Sequence, residues 1–202
     1  MTTRKRRTSL KPRKQPTQAR SSETVNVILE AAARILETRG FAGYTTNAVA
    51  ERAGVSIGSL YQYFPNKDAL TAALIDRETV PLVSALAGAA QTKTCMTGFD
   101  RLIDAAVAHQ MRRPELARLL DFEERRLPLS HRDQRVADHI TDLVIALFKH
   151  GDAPMVADPM LAAADVMAIV RGMVDAAGER GERDAEALAR RVRKATHGYL
   201  FA

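Results

Sequence analysis

Between Thr45 and Lys67 the chain reads TTNAVAERAGVSIGSLYQYFPNK, and this stretch leaves the backbone few options. Thr45 or Thr46 suits the start of a helix, because a hydroxyl there accepts a hydrogen bond from an otherwise unpaired backbone N–H. Val49, Ala50 and Ala53 follow on one face, and Gly54 supplies the positive φ that a sharp exit demands. Ser56 repeats the capping chemistry, Val55 and Leu60 point inward, and Phe64 packs below them. The spacing predicts two short helices, over 45–53 and 56–64, crossing closely at Ala50, which is a helix-turn-helix. Ile57, Gly58, Ser59 and Gln62 fall on the outward side of the second helix, where two small residues allow close approach to another surface. Pro65-Asn66 then break the helix and cap a new one at Lys67.

Upstream, Val25, Ile28, Leu29, Ala32, Ile35 and Leu36 recur at spacings of three and four, the mark of one buried helical face. Ser21 or Ser22 can cap this helix, Gly40 can end it, and Phe41 and Tyr44 are expected to fold back against it. Residues 1–21 have no apolar period, and 1–20 hold eight Lys/Arg and no acid, out of 30 basic and 24 acidic residues in the whole chain. Such a segment buries too little to offset its ordering entropy, so a disordered basic arm is expected. It reads either as a solubilising tail or as an arm on DNA phosphates or in a minor groove.

The remaining composition excludes several classes. A single cysteine, Cys95, rules out an intrachain disulfide and a thiolate zinc site. No apolar run approaches the length of a membrane span and none follows the basic start, so a cytoplasmic protein with no membrane partner is expected. There is no G-x-S-x-G, no Gly-rich phosphate loop and no H-E-x-x-H, and neither an enzyme, a cofactor nor a metal is expected.

Beyond Lys67 the pattern is helical throughout. Residues 69–90 form one long segment that Pro81 should bend or divide, and 91–98 reads as a linker containing Cys95. Thr97 is the expected cap of a helix reaching Arg113; Pro114 opens the next and Pro128 ends it; a further one covers 132–150. The segment 160–177 is apolar on nearly all sides and needs partners on more than one face, whereas 184–201 carries one apolar stripe against Arg190, Arg191, Arg193 and Lys194. Both can pack within a monomer; paired with their copies they would build a homodimeric four-helix bundle. His109 reads as a core or interface histidine or as a ligand contact, and the methionines as core filling or pocket lining.

The run G40-F-x-x-Y-T-T-x-x-x-V-A-x-x-A-G-V-S-x-G-S-L-Y-x-Y-F-x-x-K-D-x-L70 resembles the DNA-binding domain of the TetR (TetR/AcrR) family of bacterial transcriptional regulators. The resemblance implies an all-α fold, with a three-helix helix-turn-helix domain over 22–68 and a C-terminal helical ligand-binding and dimerisation domain over 69–202. It implies that Thr45, Thr46, Tyr61, Tyr63 and Lys67 hold the phosphate backbone, and that Asn47, Ser56, Ile57, Gly58, Ser59 and Gln62 face the major groove. Gln62 is the residue equipped for bidentate contact with adenine, and Ile57 for a thymine methyl. The implied partners are double-stranded DNA with a palindromic operator, a second copy through 160–177 and 184–201, and a small apolar or amphipathic effector. Phe99, Ile103, His109, Leu120, Phe148 and Met167 are the candidate effector contacts. The implied function is a homodimeric repressor released by its effector; an activator, or an effector-independent architectural protein, are the alternatives.

Overall fold

A computed structural model of the chain describes residues 19–127 and 131–201. The basic residues from Arg4 to Lys14, and the stop expected at Pro128, lie outside them. Among the described residues the chain is helical and contains no strand. The helices are α1 (Ala19–Gly43), α2 (Thr46–Ala53), α3 (Ile57–Tyr63), α4 (Lys67–Leu86), α5 (Cys95–Arg112), α6 (Pro114–Arg126), α7 (His131–Leu147), α8 (Pro159–Glu179) and α9 (Ala185–Leu200). They form two compact units, one running through Arg77 and joined by Phe122–Pro128, the other made of Glu78–Asp121 and the chain from Leu129.

In the first unit α1 packs on α2 and α2 on α3. The periodic face of α1 is buried at Ile28, Leu29, Ala32, Ile35 and Leu36, and Ala31 and Ala33 join it. The helix begins by Ala19, before the serines expected to cap it, so Ala19–Ser21 are helical and do not belong to an arm. Gly40 breaks α1 at φ 57° and ψ −161°, a region open essentially to glycine alone. Tyr44 is fully buried, its hydroxyl 3.1 Å from Thr71 Oγ1, and burial pushes the phenol's pKa upward. Phe41 lies tilted against Phe122, ring centroids 5.8 Å apart.

In the second unit α8 packs against α5, α7 and α9, and α5 against α7 and α9. The core is made by Phe99, Ile103, Val144, Leu147, Ala163, Val166, Val170, Leu188 and Val192 among others. Each fully buried large side chain there contributes about 1.5–3 kcal/mol relative to exposure. The start of α5 differs from the sequence expectation. Thr94, not Thr97, is the cap, accepting from Thr97 N–H at 3.2 Å, and Cys95 lies inside the helix. Asp152 secures this register from 57 residues away, both carboxylate oxygens accepting from Cys95 N–H at 3.0 and 3.1 Å. The buried Cys95 thiol is pushed up to about 11, first by desolvation and then by Asp152.

Helix α4 continues through Pro81 to Leu86 and is not divided there, although proline removes one bond from the helical ladder. Pro114 opens α6 as expected, and α8 and α9 are capped by Asp158 and Asp184.

Gly98 gives a direct check on this packing. A Cβ there would lie 2.3 Å from Leu147 Cδ2 and 2.9 Å from Thr92 Oγ1. Gly98→Ala should therefore destabilise the protein by about 1–3 kcal/mol despite alanine's better helix propensity, read as a lower midpoint in urea unfolding.

Candidate nucleic-acid interface

The outward side of the helix-turn-helix is assembled by three local devices. Thr45 Oγ1 accepts from Ala48 N–H at 3.1 Å and starts α2. Gly54, at φ 66° and ψ 28°, ends it: Gly54 N–H bonds Glu51 O at 3.1 Å and Val55 N–H bonds Ala50 O at 3.0 Å. Ser56 Oγ then accepts from Ser59 N–H at 3.1 Å and starts α3. Leu60 and Phe64 anchor α3 inward, both fully buried.

What remains of α3 faces away from the unit. Ile57 is 38% and Tyr61 41% exposed, and Gly58 and Gln62 are exposed beside them. Asn47 on α2 is exposed too, and neither its side chain nor that of Gln62 has a partner among the described residues. Ser59 is half-buried, its hydroxyl 2.9 Å from that of Ser56. Gly58 has no structural reason to be glycine: its φ is not positive, and an added Cβ would meet only Ser56 Oγ, at an ordinary 3.8 Å.

Hydroxyls and one ammonium border this face. Thr46 Oγ1 and Tyr61 Oη lie 3.1 Å apart. One bond between two hydroxyls uses one proton and leaves the other free to donate to an outside acceptor. Tyr63 Oη accepts from Ser21 Oγ at 3.5 Å, which keeps its own proton available. Lys67 Nζ stands 4.8 Å from the centroid of the Tyr44 ring, in a cation–π arrangement that holds the ammonium at the first residue of α4. Asn66 Oδ1 caps that helix through Ala69 N–H at 2.8 Å, and buried Thr71 donates to Lys67 O at 2.9 Å. Of the residues singled out in 45–67, Asn47, Ile57, Gly58 and Gln62 are exposed, Thr46, Tyr61, Tyr63 and Lys67 carry hydroxyls and an ammonium, and Thr45, Ser56 and Ser59 use their hydroxyls in helix caps or on each other.

Three arginines of this unit are engaged by its own carboxylates. Arg34 pairs with Glu30 at 2.9 Å and Glu37 at 3.8 Å, and Arg77 reaches Glu30 at 3.1 Å. Arg126 bonds Asp68 and Glu123, a cluster that sequence spacing does not reveal because 58 residues separate Arg126 from Asp68.

The candidate effector contacts have a different setting. Phe99 and Ile103 are fully buried in the core of the second unit, with Phe148 and Met167 packed against it; Phe99 and Phe148 are tilted at 5.6 Å. Leu120 is buried outside that cluster. His109 Nδ1 is buried with no hydrogen-bond partner, and desolvation, then Arg112, holds the imidazole's pKa below its usual value. Arg112 is fixed on buried Glu78, bonding its carboxylate at 2.7 Å and its backbone carbonyl at 3.3 Å. Gln110, absent from the sequence expectations, is also buried, its unpaired Nε2 set against Gly178.

Comparison with known proteins is consistent across the chain. Residues 28–74 match the profile described as "Bacterial regulatory proteins, tetR family", and residues 97–200 that of the "Tetracyclin repressor-like, C-terminal domain". The HTH-type transcriptional regulator EthR of Mycolicibacterium smegmatis is 35% identical over 85 residues, which is 42% of this chain and 33% of that protein. A TetR transcription regulator from Haloarcula marismortui superposes with a TM-score of 0.74 at 20% identity, covering 89% of this chain and 97% of the other. The regulator FadR of Bacillus subtilis, solved in complex with stearoyl-CoA, gives 0.72 at 18% identity, over 85% and 96% of the two chains. No described helix is long and apolar enough to cross a membrane. With its helix-turn-helix and its C-terminal region both matched by the family's profiles, the chain belongs to the TetR family of DNA-binding transcriptional regulators.

Proposed function

We propose that this protein is a homodimeric repressor that binds a palindromic operator and leaves it when a small apolar or amphipathic effector occupies the second unit. The observation that carries the reading is the exposed face of α3, where Gly58 and Gln62 are open with no partner among the described residues and Ile57 is 38% exposed. Each protomer places α3 in a major groove, so that Gln62 and Ile57 read base edges while Thr46, Tyr61, Tyr63 and Lys67 take phosphate oxygens. Charge alone cannot hold this unit on DNA. From Ser21 to Lys67 four Glu face three Arg and Lys67, a net of zero, so the eight cations of residues 1–20 are the natural source of salt-dependent affinity.

Dimerisation is assigned to α8 and α9 on the basis of two glycines. Gly172 in α8 and Gly198 in α9 are exposed, have no positive φ, and an added Cβ at either would meet nothing within 4 Å. A glycine inside a helix costs about 1 kcal/mol relative to alanine, so two of them on open faces favour close approach by a second chain. On α8, Gly172 continues a row of exposed small residues at Ala164 and Ala168. Exposed Met160, Leu161 and Tyr199 supply apolar area on the same two helices. An effector among Phe99, Ile103, His109, Leu120, Phe148 and Met167 would couple to DNA by its differential affinity for the DNA-bound and free arrangements. The mostly apolar setting of these residues suits a ligand with a long hydrocarbon part, the kind of molecule that FadR of Bacillus subtilis holds in its structure.

Two experiments test the reading. On an operator duplex selected by the wild-type protein, Tyr61→Phe combined with Lys67→Ala should weaken binding to all sequences alike and flatten the salt dependence by about one unit of slope. Gln62→Ala should instead relax preference at one base pair, at a cost of roughly 1–3 kcal/mol. For the dimer, Gly172→Leu should leave the helical circular dichroism unchanged and convert the species to a monomer in sedimentation velocity; an unchanged dimer would place the interface elsewhere.

A further inference from the structure

The first turn of α4 carries Lys67, and next to it Asp68, a carboxylate beside a residue proposed to meet phosphate. Negative charge at this point suits the positive end of the helix dipole, yet it repels the DNA backbone and competes for the neighbouring ammonium. The fold answers with Arg126, from the last turn of α6. Its Nη2 reaches Asp68 Oδ1 at 2.7 Å, while Nε and Nη2 reach Glu123 Oε2 at 3.0 and 2.5 Å. The Glu123 side chain is only 7% exposed and would be stranded in the unit without a cation. A guanidinium is suited to this task because its planar fork bonds two carboxylates at once and stays charged at any ordinary pH. These two bonds push the Arg126 pKa further upward.

The same turn of α4 is held at two other points. Asn66 caps it locally, and the Tyr44 hydroxyl meets Thr71, which in turn donates to Lys67 O. Of the three, Arg126 is the one that brings charge to the place where Lys67 stands.

We propose that Arg126 is a positioning residue of the DNA interface: by bonding Asp68 and Glu123 together it fixes the first turn of α4 and leaves Lys67 free for phosphate. The proposal rests on the operator-binding reading above and adds to it a residue outside the helix-turn-helix segment. Without Arg126, two carboxylates draw on the Lys67 ammonium, and phosphate loses its partner although Lys67 is intact.

The test is a double-mutant cycle in full-length protein, with affinity measured by fluorescence anisotropy on a duplex selected by the wild type from random sequence. Arg126→Met should weaken binding roughly three- to thirtyfold. In a Lys67→Ala background the same change should cost little or nothing, because the contact it serves is already gone. A merely structural role would give penalties that multiply. Arg126→Lys supplies a cation for buried Glu123 but cannot bridge both carboxylates; it should show an intermediate loss that also vanishes beside Lys67→Ala, and it serves as the test if Arg126→Met does not fold. Wild-type affinity in Arg126→Met, or full multiplication of the two penalties, would overturn the proposal. A wild-type protein that selects no duplex would overturn the operator reading instead.

Discussion

The left-handed turn at Gly54 fixes where α3 leaves α2, and everything the first unit presents depends on it. Two bonds close that turn, Gly54 N–H to Glu51 O and Val55 N–H to Ala50 O. They can form only with a positive φ that a side chain at 54 would strain by roughly 1–2 kcal/mol. Once the turn is made, Leu60 and Phe64 have no choice but to point inward, and Ile57, Gly58, Tyr61 and Gln62 outward. The exposed face of α3 is thus a consequence of burial on the other side of a helix of seven residues.

Several charges around the helix-turn-helix are tied down. Arg34, Arg77 and Arg126 are paired with carboxylates of their own unit, and Lys67 is held over the ring of Tyr44. The stretch 21–67, with a net charge of zero, cannot gain affinity from unspecific attraction alone; geometry has to place each donor. That economy explains why one ion pair at the start of α4 can matter. It also gives a use to duplicated presentation, since two modest half-sites joined by a dimer bind far more tightly than either one.

Legibility in the sequence followed the range of the interactions. The caps at Thr45, Ser56 and Asn66, the turn at Gly54 and the inward set of α1 are all local, and each appears as residue type and spacing. The start of α5 is ambiguous locally, since Thr94 and Thr97 offer the same capping chemistry; Thr94 takes the cap, with Asp152, far along the chain, holding Cys95 N–H. Arg126 is hidden by distance: its partner Asp68 belongs to another helix, and nothing in the 114–126 pattern announces that its last turn joins the first unit. Pro81 does not divide α4, since a helix of twenty residues tolerates the loss of one hydrogen bond. Buried Gln110 against Gly178 is another long-range match between a side chain and the space cleared for it.

The central claim is that the exposed face of α3 exists for DNA and not for the fold, and Gly58 tests it most directly. An alanine there fits the protein, with only Ser56 Oγ near at 3.8 Å, and helix propensity favours it. The measurement is the operator affinity of Gly58→Ala beside its melting temperature. The account predicts a melting temperature equal to or above that of the wild type together with a loss of operator binding of tenfold or more, about 1.4 kcal/mol or above. Unchanged operator affinity in the folded variant would contradict it.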